Sequence, residues 1–186
     1  MIEVLARQFR GARLPAISSG SLLDAGLVTR ARDALLEIAC ERYELADRGA
    51  YDTSEVAAPG DVEDSIAVAA SSVVGAPLEV IARRWYRMRA GDYTLAKDDR
   101  WAHEARDALW YDVSLDVSRE ATSEAEIVFT HRGSAFFTVP QRFGELAVVA
   151  RGPTVARFDR YLTHRVGSRI VERLRLLLVA RGTRAA

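Results

Sequence analysis

The run EVIARRWYRMRAGDYTLAKDD, from Glu79 to Asp99, is where the chain changes from helical to extended periodicity. Its first residues suit a helix or an extended segment, but WYRMR (Trp85–Arg89) alternates like a strand. Ala90-Gly91-Asp92 supplies a turn, and Tyr93-Thr94-Leu95 resumes the strand pattern. Downstream, strands are expected at Leu109–Val117, Ile127–Thr130, Ala135–Val139, Glu145–Ala150, Thr154–Leu162 and Ile170–Ala180, separated by Gly, Pro, Asp and Ser. In DVSLDV the residues Val113, Leu115 and Val117 share one face. Upstream, Leu22, Leu23, Leu27, Leu35, Leu36, Ala39 and Tyr43 recur at helical spacing. They predict a helix from Ser21 to about Asp47, with Ser21 and Asp24 as a cap signature and Gly49 as a stop. Gly49 to Gly60 is turn-rich and reads as a loop, and a second helix is expected over Val62 to Val74, ended by Gly75 and Pro77. Helices followed by many short strands predict an α+β fold, a helical layer on a β-sandwich or barrel.

The 186 residues suit a single domain with a full core. The 26 basic and 26 acidic residues cancel, so bulk charge gives no reason to expect nucleic acid or an anionic membrane as partner. A small molecule, or a protein or peptide side chain, is the expected ligand. Cys40 is the only cysteine, which excludes an internal disulfide and a multi-cysteine zinc site. Within LLEIACERY it reads as a small buried hydrophobe. The opening MIEVLARQFRGARLP lacks the apolar core of a signal peptide, and no apolar run approaches the ~18 residues of a membrane span. A soluble, cytoplasmic protein is the default expectation.

Three stretches carry further information. Arg87-Met-Arg-Ala-Gly-Asp-Tyr93 is followed by Lys97-Asp98-Asp99. Val139-Pro-Gln-Arg-Phe143 leads into Glu145-Leu-Ala-Val-Val149, and His164-Arg-Val166 precedes Arg173-Leu-Arg175. In this order they resemble the 2-oxoglutarate/Fe(II)-dependent oxygenase superfamily, particularly its compact bacterial members related to prolyl hydroxylases. The resemblance implies a double-stranded β-helix, or jelly-roll, over residues 78–186, with supporting helices in residues 1–77. It also implies Fe(II) and 2-oxoglutarate as cofactors. Asp99 and His164 would be metal ligands, because iron(II) in this chemistry is held by two imidazoles and one carboxylate. Arg173, helped by Arg175 and by Tyr93, would bind the distal carboxylate of 2-oxoglutarate, for which a guanidinium offers a bidentate fork.

The sequence departs from that family at Lys97: aligned through Asp99, the resemblance puts this lysine in the catalytic centre, at the position of the first metal histidine. A protonated lysine has no lone pair for iron and repels a dication. Beside Asp99 it would form an ion pair in the metal's space. His103 and His131 lack an acidic residue two positions on, so neither rebuilds the motif. They read as structural histidines, and His164 has either a metal or a strand-end structural role. Tyr93 suits a cosubstrate contact and a barrel core equally. Arg173 and Arg175 share one strand face. Outside the barrel that face is a solvated surface; inside, its guanidiniums need an anion to offset burial.

The sequence lacks a dinucleotide glycine loop, a P-loop, a nucleophile elbow and an HExxH helix. Two readings follow. One is an oxygenase hydroxylating an amino-acid side chain or small metabolite. The other is a metal-free, inactive member of the same fold acting as a ligand-binding or regulatory module. An unrelated β-sandwich interaction domain is a third.

Overall fold

The computed structural model describes residues 1–96 and 109–181. Among these, three helices and eleven strands follow the order α1 (Ile2–Gly11), β1 (Ala16–Ser19), α2 (Ala25–Glu37), β2 (Glu41–Leu45), β3 (Gly49–Ser54), α3 (Gly60–Val74), β4 (Leu78–Met88), β5 (Tyr93–Thr94), β6 (Trp110–Asp116), β7 (Glu126–His131), β8 (Ser134–Pro140), β9 (Leu146–Arg151), β10 (Val155–Asp159) and β11 (Val171–Ala180). From Glu79 to Met88 the chain is strand throughout. Trp85 and Tyr86 are both buried but point to opposite faces, as the period of two requires.

The larger sheet has the order β1-β9-β6-β11-β4-β3-β2, with β5 paired to β3, and the smaller is β10-β7-β8. Every described strand pairing is antiparallel. The outer face of the larger sheet, with Trp85, Val113, Leu115, Val148, Leu174 and Leu176, packs on α1, α2 and α3 through Phe9, Leu35 and Ile66. Its inner face meets the smaller sheet through Ala147 and Val149 against Ile127 and Phe129. This is an α+β double-stranded β-helix with a helical layer on one side.

Residues before position 78 do more than supply helices, because β1, β2 and β3 join the larger sheet. The helix expected from Ser21 to Asp47 is shorter at both ends. Asp24 is its N-cap, accepting from Gly26 N at 2.8 Å and Leu27 N at 3.3 Å. Tyr43, which continued the helical spacing, instead pairs with Tyr51 across β2 and β3, their rings 4.9 Å apart. The expected loop after Gly49 therefore begins as a strand. The β2 edge strand is mostly exposed and carries Glu41, Arg42 and Glu44, a composition that hides strand character and discourages edge pairing. By contrast, α3 ends as expected, at Gly75 in the left-handed conformation (φ 84°). Cys40 is half-buried, and burial raises its thiol pKa, so it is not an activated nucleophile.

The β7–β8 hairpin turns through Arg132 (φ 51°) and Gly133 (φ 84°), with His131 opposite Ser134. Two consecutive positive φ values define the tight turn that favours Asn-Gly. Arg132→Asn should raise stability by about 0.5–1 kcal/mol, read as a higher urea midpoint at unchanged slope.

Candidate functional site

The inner faces of β6, β9, β10 and β11 place a layer of charge between apolar clusters. On β6, Asp112 and Asp116 alternate with Val113 and Leu115 and so point away from the helices. Arg173 and Arg175 reach the same space from the neighbouring β11, with Arg173 opposite Asp116. Arg151 ends β9, and Arg157 and Asp159 line β10. All seven side chains are buried.

Two ion-pair groups result. Arg175 binds Asp112 through Nε at 3.1 Å and Nη2 at 2.5 Å, and its Nη1 lies 3.5 Å from the Tyr86 hydroxyl. Arg151 donates from Nη1 to the same carboxylate at 2.9 Å and from Nη2 to Val155 O at 2.9 Å, stacked 4.3 Å from the Trp110 ring. Beside this group, Arg173 donates to Asp116 at 3.3 Å, to Asp159 at 2.5 Å and to Ala125 O at 3.3 Å. Asp159 is also bound by Thr94 Oγ1 at 3.2 Å and by Arg157 Nη1 at 3.2 Å.

The two inner carboxyls of β6 are shifted in opposite directions. Burial pushes Asp112 up, but the guanidiniums of Arg175, Arg157 and Arg151 overcome this and hold it well below the usual carboxylate range. Burial dominates at Asp116, which is raised despite Arg173 and the bonds from Ser118 and Gln141. A depressed folded pKa contributes stability that is fully present above the unfolded value and is lost as pH falls through the folded value. A raised carboxyl does the reverse, contributing most at low pH and losing that contribution as pH rises through its folded value. Asp116→Asn should therefore be the milder substitution at pH 7, about 1–2 kcal/mol against about 3–5 for Asp112→Asn, checked by urea unfolding of both variants.

Of the residues anticipated for an iron site, the structure describes Tyr93, His164, Arg173 and Arg175. Arg173 and Arg175 lie together inside the barrel, each already bonded to aspartate. Tyr93 is half-buried, and its hydroxyl donates to Ala46 O at 3.0 Å; the inward residue of β5 is Thr94. His164 is exposed in a short 3-10 turn (His164–Val166), not at a strand end. Lys97, Asp99 and His103 lie outside the described residues. His131 sits at the β7 turn. In the motif preceding Lys97, Asp92 is buried and secures the turn by accepting from Arg89 N at 3.0 Å and from Arg42 at 2.7 Å.

The sequence reading missed Asp112, Asp116, Asp159, Arg151 and Arg157. The alternation in DVSLDV contained the signal, since the face opposite Val113 and Leu115 carries both aspartates.

No protein-family model and no curated protein matches the chain. Solved structures do match in fold. The α-ketoglutarate-dependent epimerase SnoN from nogalamycin biosynthesis aligns at a TM-score of 0.68 with 17% identity, over 96% of this chain and 82% of that one. A Pseudomonas putida prolyl-4-hydroxylase aligns at 0.68 with 14% identity, over 98% of this chain and 100% of its own. A Trichoplax adhaerens prolyl hydroxylase in complex with a hypoxia-inducible-factor peptide aligns at 0.68 with 8% identity, over 96% and 89%. The chain has the fold of the 2-oxoglutarate/Fe(II) oxygenases.

Two of the positions that would meet the cofactors of that fold, Lys97 and Asp99, lie outside the described residues. No group of three metal-binding side chains forms among them. The histidine of the third motif faces solvent, while the arginines that would receive the cosubstrate are engaged by internal carboxylates. No helix among the described residues is long and apolar enough to cross a membrane.

Proposed function

We propose that this protein is a metal-independent member of the oxygenase fold that works as a ligand-binding or regulatory module. The carrying observation is that Arg173 and Arg175 are neutralised by Asp116, Asp159 and Asp112 of the same barrel. A guanidinium that must capture a free dicarboxylate should be held with its donors open, because each bond to an internal aspartate competes with the ligand. Lys97, standing where the metal histidine is expected, supports the same reading, as does the exposure of His164. On this reading the barrel replaces a metal cation and its cosubstrate with fixed internal ion pairs, and the fold is retained for recognition. Small molecules and peptides are the ligand classes that agree with the related folds and with the balanced charge.

A second reading, an oxygenase using Asp99 and His164 for iron, draws on the ordered motifs Arg87–Tyr93, Val139–Phe143 and His164–Arg175. Anaerobic titration with Fe(II) and 2-oxoglutarate separates the two. The metal-independent reading expects no metal-to-ligand charge-transfer absorption in the visible range. A saturable band at one equivalent of iron would overturn it.

A further inference from the structure

We propose that the free edge of β8 is a docking strand for an extended segment of a partner protein, uncharged along its middle and acidic at both ends. This surface lies outside the barrel interior, so the proposal goes beyond the metal-independent reading and stands or falls separately from it.

The two sheets have four edges, β1 and β2 in the larger and β10 and β8 in the smaller. Three are protected by recognisable means. β1 is only four residues long, and β2 carries Glu41, Arg42 and Glu44. β10 lies against β5, where the Asp159 N–H donates to Thr94 Oγ1 at 2.6 Å. β8 differs from all three. It runs for seven residues, Ser134–Pro140, without a charged side chain, and β7 is its one neighbour in the sheet. Alternate residues of such an edge turn their N–H and C=O groups outward, where another strand can meet them. Phe136 is an extra residue in the pairing, since Thr130 faces Ala135 and Phe129 faces Phe137. That bulge twists the edge, and Pro140 has no N–H to offer, so the regular surface is short. A short, twisted edge suits a flexible segment better than the rigid edge of a second folded copy.

Charge at the two ends selects the partner. Arg132 in the hairpin turn and Arg142 just past Pro140 are both exposed, and neither guanidinium has an ion-pair partner among the described residues. Arg142 also lines a cavity of about 370 Å³ with Thr122, Glu126 and Pro140. Glu126 is already paired with Arg160 at 2.5 Å, which leaves the positive charge of Arg142 unmatched there. Pairing β8 with a second copy, antiparallel about Phe137, would set each Arg132 opposite the other copy's Arg142. Like charges would then meet at both ends. A segment with Asp or Glu at both ends instead meets the same two arginines as counter-ions, while main-chain bonds between them carry the pairing.

The test is fluorescence anisotropy with a labelled peptide whose seven alternating threonines and valines match β8 in length, flanked by glutamates or, in a second peptide, by lysines. One added strand covers less than the ~800 Å² per partner of a standard interface, so saturation in the micromolar range is expected for the glutamate form. The lysine form should bind about tenfold more weakly. The glutamate form should weaken by about the same factor on protein carrying both Arg132→Glu and Arg142→Glu, exposed changes that should keep the wild-type far-ultraviolet dichroism. Amide exchange followed by NMR should slow in β8 on binding and stay unchanged in β2. Absence of saturable binding overturns the proposal, as does equal binding of the two peptides or protection that spares β8. So does a free protein that sediments as a dimer and turns monomeric with Thr138→Lys, because a second copy would then hold the edge.

Discussion

Asp112→Asn is expected to lower the unfolding free energy by about 3–5 kcal/mol, measured by urea denaturation at pH 7. The carboxylate is buried and receives bonds from both Arg175 and Arg151. Removing its charge leaves two guanidiniums in a low-dielectric interior without the anion that offsets their desolvation. The cost lies in what remains, so adding Arg175→Met to Asp112→Asn should cost less than the sum of the two single variants. Non-additivity of this sign is what coupled partners give, and independent surface charges would not show it. Because Asp112 is held below its ordinary range, the gap between wild type and Asp112→Asn should persist to pH about 4 and close only below it.

Arg173→Met is expected to cost about 3–5 kcal/mol as well, again by urea denaturation. Its loss leaves Asp116 and Asp159 inside the barrel without the guanidinium that bridges them. The two readings diverge sharply here. An arginine whose task is to receive a cosubstrate would, when replaced by a similarly sized apolar residue, lose ligand affinity and leave the fold nearly as stable. An arginine that binds two strands together loses stability first. The penalty should shrink as pH falls, since Asp116 already titrates high and accepts a proton readily.

Much of the fold was legible in the sequence because strand alternation is a local signal. Each strand expected from position 109 onward is present, with ends displaced by a few residues. The failures have physical causes. α1 passed unnoticed although Leu5, Ala6 and Phe9 lie on its packed side. Strand β2 is hidden because an exposed, charge-rich edge strand carries no alternation of apolar residues, and β3, partly buried between β2 and β4, because its Gly, Asp, Thr and Ser read as turn residues.

The site was legible only by halves. Arg173 and Arg175 were found to share a face, but an alternating aspartate looks the same whether it meets water or the interior. Asp112 and Asp116 therefore stayed out of sight until the sheets were placed around them. His164 lies beyond the reach of strand alternation, in a 3-10 segment. Val155–Asp159 takes the pairing with β7, and the chain after it turns into an exposed 3-10 segment, so a histidine at the expected distance from Arg173 faces solvent.

The most direct test is the metal content of the protein purified from iron-replete cells without chelator, read by native mass spectrometry and elemental analysis. The expected result is a chain of apo mass with far less than one equivalent of iron, unchanged after incubation with Fe(II) under argon and buffer exchange. One iron per chain, retained through that exchange, would contradict a barrel whose charges are already paired.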